Sequence, residues 1–187
     1  EKAQQLESIE IKNNTKTIEE SAFESISTLK TVTIGTTVET IEKYAFRYCN
    51  NLESISVTEG NQKYNVESQG ALIEKTSTEI TLVLYPKLKT TPTKYKIPEE
   101  ITTIAGYAFY QNENIEYIRF NSNLKTIKEY AFSGMTKIKT ITIQSNVKTI
   151  EKSIFENCST LKRIVFKGKF APTCSRPIFT VNEMIKN

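Results

Sequence analysis

The sequence predicts one solenoid in which short parallel strands line one face and short helices the other, interrupted by a single atypical unit. Two observations predict it. An Ala-Phe pair recurs at Ala22-Phe23, Ala45-Phe46, Ala108-Phe109 and Ala131-Phe132, with Ile154-Phe155 as a degenerate fifth copy. Six residues after each Phe, an aliphatic residue opens an apolar-x-x-apolar-x-apolar string, as in Leu29, Val32, Ile34 and in Ile138, Ile141, Ile143. A third observation limits function: the 187 residues contain no His, no Trp and no Asp.

The phenylalanines are spaced by 23, 63, 23 and 23 residues. Further strings are Leu6, Ile9, Ile11; Leu52, Ile55, Val57; Ile115, Ile118, Phe120; and Leu161, Ile164, Phe166. Ile18, Ile41, Ile104, Ile127 and Ile150 each stand five residues before a Phe. So many registers at one period indicate coils stacked into ladders. Period-two alternation at Val32, Thr33, Ile34 places a strand with Val32 and Ile34 inward. Ile41, Ala45 and Cys49, at i, i+4 and i+8, line one side of a predicted short helix, with Ala allowing close approach to the sheet. Each buried aliphatic or Phe side chain contributes about 1.5–3 kcal/mol. Ordering the chain costs about 1–2 kcal/mol per residue, so no coil stands alone.

The step of 63 holds an atypical unit of 40 residues, about 58–97. Leu72 and Ile73 with Leu82 and Leu84, around the polar stretch from Glu74 to Glu79, read as a β-hairpin. Tyr95, Lys96 and Ile97 recover the strand phase. The expected organisation is one domain over 1–187, closed by a capping segment at about 167–187. The repeat pattern starts partway through a unit, as in an excised fragment.

The pattern written by Ile41, Ala45, Phe46, Cys49, Leu52, Ile55 and Val57 resembles the BspA-type leucine-rich repeat of bacterial and protist surface proteins. Asn61, Tyr64, Gly70, Ala71, Leu72, Tyr85, Pro86, Tyr95, Ile97 and Pro98 are similar to the longer variant that interrupts such arrays. Phe166, Gly168, Ala171, Pro172 and Phe179 resemble the way they end. The resemblance implies a leucine-rich-repeat solenoid, a right-handed β/α superhelix, on a cell surface or secreted. It also implies adhesion to host, matrix or neighbouring-cell proteins.

Without His and Asp, a Ser-His-Asp triad, a His-bearing zinc site, an Asp dyad or an Asp-rich calcium loop has no ligands or nucleophile partners. No catalytic, cofactor or metal residue is assigned, and no enzyme is expected. The adjacent pairs Glu19-Glu20 and Glu99-Glu100 sit at turns or predicted helix starts, where the helix dipole favours Glu. The net charge of +4 comes from scattered Lys and four unclustered Arg, which reads as solvated surface with no nucleic-acid partner. No apolar run approaches the ~20 residues that span a membrane.

Cys49 and Cys158 share a ladder register with Ile26 and Met135, so both read as small buried groups, several coils too far apart to bridge. Cys174 is left open. Asn14, Asn123 and Asn146 fall just after strands and read as turn residues. Asn13 and Asn157 begin Asn-x-Thr and Asn-x-Ser acceptors, the second with a core-register Cys between. Outward strand positions are mostly Ser and Thr, but Tyr117, Arg119, Arg163, Lys94 and Lys96 break that pattern. Tyr and Arg are enriched in interface hot spots, so these five are the candidate protein-binding residues. The expected assembly is a monomer or weak oligomer. The rival reading is a spacer array with no ligand of its own.

Overall fold

Alternating apolar residues form the strands, and the constant period lays each one beside its equivalent in the next coil. The computed structural model describes residues 5–87, 93–168 and 173–174. In chain order the strands are β1 (Ser8–Ile11), β2 (Thr17–Ile18), β3 (Thr31–Ile34), β4 (Thr40–Ile41), β5 (Ser54–Val57) and β6 (Tyr64–Val66). Next come β7 (Leu72–Lys75), β8 (Ile80–Leu84), β9 (Lys94–Lys96), β10 (Thr103–Ile104) and β11 (Tyr117–Arg119). The last are β12 (Thr126–Ile127), β13 (Thr140–Ile143), β14 (Thr149–Ile150), β15 (Arg163–Phe166) and β16 (Thr173–Cys174).

The chain is a parallel β-solenoid with three faces. The longer strands pair as β1-β3-β5, β9-β11 and β13-β15, with Val32 opposite Ile55 and Ile141 opposite Ile164. Short Thr-Ile strands build a second face, β2-β4 and β8-β10-β12-β14-β16. Ile18, Ile41, Ile104, Ile127 and Ile150 belong to these short strands. The third face consists of turn segments at 19–26, 42–49, 105–112, 128–135 and 151–158.

The helices expected on the face opposite the strands are absent: no α-helix occurs among the described residues. Two backbone positions in each turn segment have positive φ, four residues apart. They are Ser21 and Ser25, Tyr44 and Tyr48, Tyr107 and Gln111, Tyr130 and Gly134, and Ser153 and Asn157. A left-handed residue ends an α-helical turn. Alternate N–H groups then point along the solenoid axis: Phe23 N donates to Ala45 O at 2.9 Å and Phe109 N to Ala131 O at 2.8 Å. The i, i+4, i+8 spacing of Ile41, Ala45 and Cys49 therefore marks one strand residue followed by two successive turns. A helix about 10–12 Å across on one face would bend strands spaced ~4.8 Å into an arc, whereas turn segments hydrogen-bonded from coil to coil advance with the strands.

Equivalent aromatic rings stack from coil to coil. Phe23 lies 5.5 Å from Phe46; Phe109 lies 5.3 Å from both Tyr85 and Phe132; Phe132 lies 5.8 Å from Phe155. The buried residues form two clusters, one running from Ile11 to Leu72 and one from Ala71 to Cys158. They meet at the atypical unit.

There the expected hairpin is present, with β7 antiparallel to β8. A third antiparallel strand, β6, pairs with β7 and was not anticipated. The sheet thus runs on from β8 through β7 to β6, so β6 and β7 widen the short-strand face while the long-strand face gains nothing. Accordingly β5 and β9, one coil apart, do not pair. The loop between β6 and β7 reaches towards β9: Gln69 Nε2 donates to Lys96 O at 2.8 Å, and Tyr95 donates its hydroxyl to Glu67 at 3.2 Å.

Phe166, expected in an inward register, is 39% exposed at the last described coil. Most of the expected capping segment, including Ala171, Pro172 and Phe179, lies outside the described residues. Cys174 falls in β16. Among the described residues no helix is long and apolar enough to cross a membrane.

Candidate functional site

Pairing of β9 with β11 decides where the predicted binding residues stand. Lys94 is opposite Tyr117 and Lys96 opposite Arg119, so four of the five share neighbouring rungs of the long-strand face. Arg163 stands on β15 opposite Thr140 of β13. Two strand spacings from Tyr117 correspond to roughly 10 Å. All five side chains are exposed, Tyr117 at 47%. Lys96 has Glu99 at 3.7 Å, while Lys94, Arg119 and Arg163 form no ion pair among the described residues. The first coils present mostly hydroxyls with the carboxylate of Glu10 opposite Thr33, and Thr33 and Ser56 hydrogen-bond each other at 3.0 Å.

A second site has no counterpart in the sequence reading. The turn segments at 42–49 and 105–112 face each other across a cavity of about 300 Å³, beside Val83, Leu84, Tyr85, Pro86 and Lys87. Tyrosines lean across it. Tyr44 packs edge-on to Tyr107 with centroids 5.3 Å apart, and Tyr48 packs likewise on Tyr110 at 5.2 Å. The Arg47 guanidinium lies 4.3 Å from the Tyr44 centroid and 5.0 Å from that of Tyr48, with its Nε bonded to Glu24 at 2.8 Å.

Tyr44 donates its hydroxyl to Glu129 at 2.6 Å. That hydrogen bond, aided by burial, pushes the Tyr44 hydroxyl up to about 12. Burial alone would raise the Glu129 carboxyl. Hydrogen bonds from Tyr44 and Lys152 outweigh it and hold Glu129 below the usual carboxylate range. Burial lowers Lys87, and Glu113 opposes that in part.

The cavity joins residues 63 positions apart, so no local motif announced it. One signal was available: tyrosine occupies Tyr44, Tyr48, Tyr107 and Tyr130, all at positive φ. A bulky side chain there costs about 1–2 kcal/mol, and such strain concentrates at functional sites.

The repeat registers match the BspA type Leucine rich repeat region in six copies, over residues 1–82 and 87–180. The chain belongs to this family. A leucine-rich repeat protein from Eubacterium ventriosum ATCC 27560 is 30% identical and superposes with a TM-score of 0.77, covering 87% of this chain and 43% of that one. The pneumococcal vaccine antigen PcpA is 26% identical, with a TM-score of 0.72 over 88% of this chain and 47% of its own. The chain thus spans under half the length of both. A leucine rich cell surface protein from Faecalibacterium prausnitzii A2-165, 18% identical with a TM-score of 0.56 over 89% of this chain and 61% of that one, shares the fold. No curated protein is significantly similar. Family and fold are leucine-rich repeats, a non-enzymatic type.

Within this BspA-type array, Cys49 and Cys158 are buried, and their thiols donate to the Phe23 and Phe132 carbonyls of the preceding coil. Burial pushes the Cys49 thiol up. Glu19, Glu20, Glu99 and Glu100 are all exposed. Two asparagines outside the Asn14, Asn123 and Asn146 register each tie two carbonyls of the preceding coil. Asn61 donates to the Gly35 and Val38 carbonyls, and Asn121 does the same to Pro98 and Ile101. Asn123 donates to Glu99 O at 2.9 Å. Asn13 and Asn157 are exposed, while Cys158 between Asn157 and Ser159 is buried.

Proposed function

We propose that the chain is a non-enzymatic recognition module, at a cell surface or secreted, that binds a host, matrix or neighbouring-cell protein through the long-strand face. The observation that carries this reading is Tyr117. A large aromatic 47% exposed on a flat sheet, flanked by Lys94, Lys96 and Arg119, offers apolar area and positive charge on a backbone held by parallel pairing. Tyr and Arg placed so are the side chains that dominate interface energetics. The partner that fits presents an apolar or aromatic group rimmed by carboxylates. The cell-surface description of one fold relative supports the location, and family membership supports the class of activity.

The test is capture of proteins from matrix or host-surface extracts by the wild-type chain and by an Arg119→Glu, Arg163→Glu double variant. Binding through this face predicts loss of the captured species with an unchanged thermal transition. Equal capture by both proteins removes the face from consideration. The hydroxyl-lined first coils, whose Thr33 and Ser56 satisfy each other, favour a spacer role for that half. A pure spacer captures nothing with either protein.

A further inference from the structure

One hydrogen-bond ladder on the turn face is broken. In each regular step three alternate N–H groups donate to the segment that follows. Ser21, Phe23 and Ser25 donate to Lys43, Ala45 and Arg47, and Tyr107, Phe109 and Gln111 to Glu129, Ala131 and Ser133. Tyr130, Phe132 and Gly134 repeat the pattern on Lys152, Ile154 and Glu156. The matching donors in the second coil are the N–H groups of Tyr44, Phe46 and Tyr48. Among the described residues none of the three has an acceptor.

The atypical unit explains the break. It adds β6 and β7 to the short-strand face, and among its described residues only a stub of turn rung follows. Tyr85 N donates to Ala108 O at 2.8 Å, Pro86 has no N–H to give, and Lys87 N turns back to Leu52 O at 2.7 Å. The 300 Å³ cavity lies where the rest of that rung would run.

Among the charged groups that line the cavity, Glu42, Glu151, Lys43, Lys87 and Lys128 form no ion pair among the described residues, which leaves a single excess positive charge. The lining carboxylates are engaged: Glu42 accepts from Glu20 N, Glu74 pairs with Lys63, Glu129 accepts from Tyr44 and pairs with Lys152, and Glu151 accepts from Glu129 N.

We propose that this slot binds an acidic peptide segment, folded into the same successive turns as the other rungs, as the missing rung, its main-chain carbonyls accepting from Tyr44, Phe46 and Tyr48 and its carboxylates facing Lys87. Three donors on alternate residues match the alternate carbonyls that a turn rung presents, as Lys43, Ala45 and Arg47 do to the first coil. The volume lies at the lower end of the range for ligand pockets, which suits a short segment. The tyrosine pairs give its side chains aromatic walls.

A probe exists within the chain. Its first turn segment, Glu19 to Ile26, carries three Glu, no cation and an Ala-Phe rung. As a capped synthetic octapeptide titrated into the whole chain, it is expected to bind saturably with Kd below about 1 mM. Nuclear magnetic resonance shifts should centre on the Tyr44, Phe46 and Tyr48 amides, whose hydrogen exchange should slow on binding. In the free protein these amides should exchange faster than those of Phe23 and Phe109. Lys87→Glu should weaken binding about tenfold, worth ~1.4 kcal/mol, and a peptide with its Glu residues replaced by Lys should not bind. Three results overturn the proposal: equal protection of all five amides in the free protein, no shifts at ~1 mM peptide, or unchanged affinity in Lys87→Glu. The Arg119→Glu, Arg163→Glu variant should bind the octapeptide normally, so failure of the long-strand face and failure of this slot are read separately.

Discussion

Truncating Phe109 to Ala tests the stacked aromatic column at its most connected point. The ring is fully buried and lies 5.3 Å from Tyr85, 5.4 Å from Tyr95 and 5.3 Å from Phe132. Phe→Ala in a core costs about 3–5 kcal/mol. Aromatic pairs add about 0.5–1.5 kcal/mol each beyond area burial, so the upper end is expected. Against a typical total of about 5–15 kcal/mol that is a large share, equivalent to lowering Tm by roughly 6–20 °C for a chain of this size. Because solenoid stability is carried by neighbour-to-neighbour interfaces, the variant should also broaden the urea transition as the coils on either side uncouple. Phe23→Ala is the internal control. Its ring is half-buried and stacks on Phe46 alone, so a cost of about 1–2 kcal/mol is expected. Urea titration followed by far-ultraviolet circular dichroism measures both, which suits a chain without Trp. A cost for Phe109→Ala no greater than that for Phe23→Ala would refute the stacked column.

Gly35→Ala should destabilise by about 1–3 kcal/mol, because a Cβ there overlaps the Ile11 carbonyl oxygen of the preceding coil; thermal melting checks it. Ser153, at φ 53°, should tolerate Gly but lose about 1–2 kcal/mol on replacement by Val, and equal stability of the two variants would contradict the left-handed turn. The Tyr44 hydroxyl, pushed up to about 12 by Glu129 and burial, binds its proton more tightly folded than unfolded, where it titrates near ~10. Its contribution is therefore complete below about pH 10 and lost as the pH climbs towards 12. Tyr44→Phe should remove that alkaline step from a stability–pH profile.

Sequence and structure agree where the physics is repetitive. Val32 and Ile34 had to point inward because two polar Thr residues alternate with them, and Ile55 and Val57 follow at the same period. The turn face was misread because i, i+4 spacing is shared by a helix and by two left-handed four-residue turns. Nothing local in Ile41-Glu42-Lys43-Tyr44-Ala45 separates them. Ser21 and Tyr107 enter the left-handed region because the following coils supply acceptors for the redirected N–H groups, and that gain appears only once coils are stacked. Strand β6 was missed for a related reason: Tyr64-Asn65-Val66 is too short to show alternation and is held by its partner β7.

The five candidate binding residues were legible as departures from a Ser and Thr pattern, and pleating put them outward as the period required. Their grouping was legible too, because Tyr95, Lys96 and Ile97 recover the strand phase after the insertion, and β9 pairs with β11 with Lys94 opposite Tyr117 and Lys96 opposite Arg119.

Taken alone, the order of residues determined the coil length, the inward registers and the place where the array is interrupted, since these follow from burying apolar side chains at a fixed period. Three-dimensional packing decided the rest. It chose turns over helices because the turn segments hydrogen-bond from coil to coil, which an α-helix, with its N–H groups bonded internally, does not. It opened the tyrosine-walled slot because, among the described residues, the insertion adds strands to one face and only Tyr85 to Lys87 to the turn face.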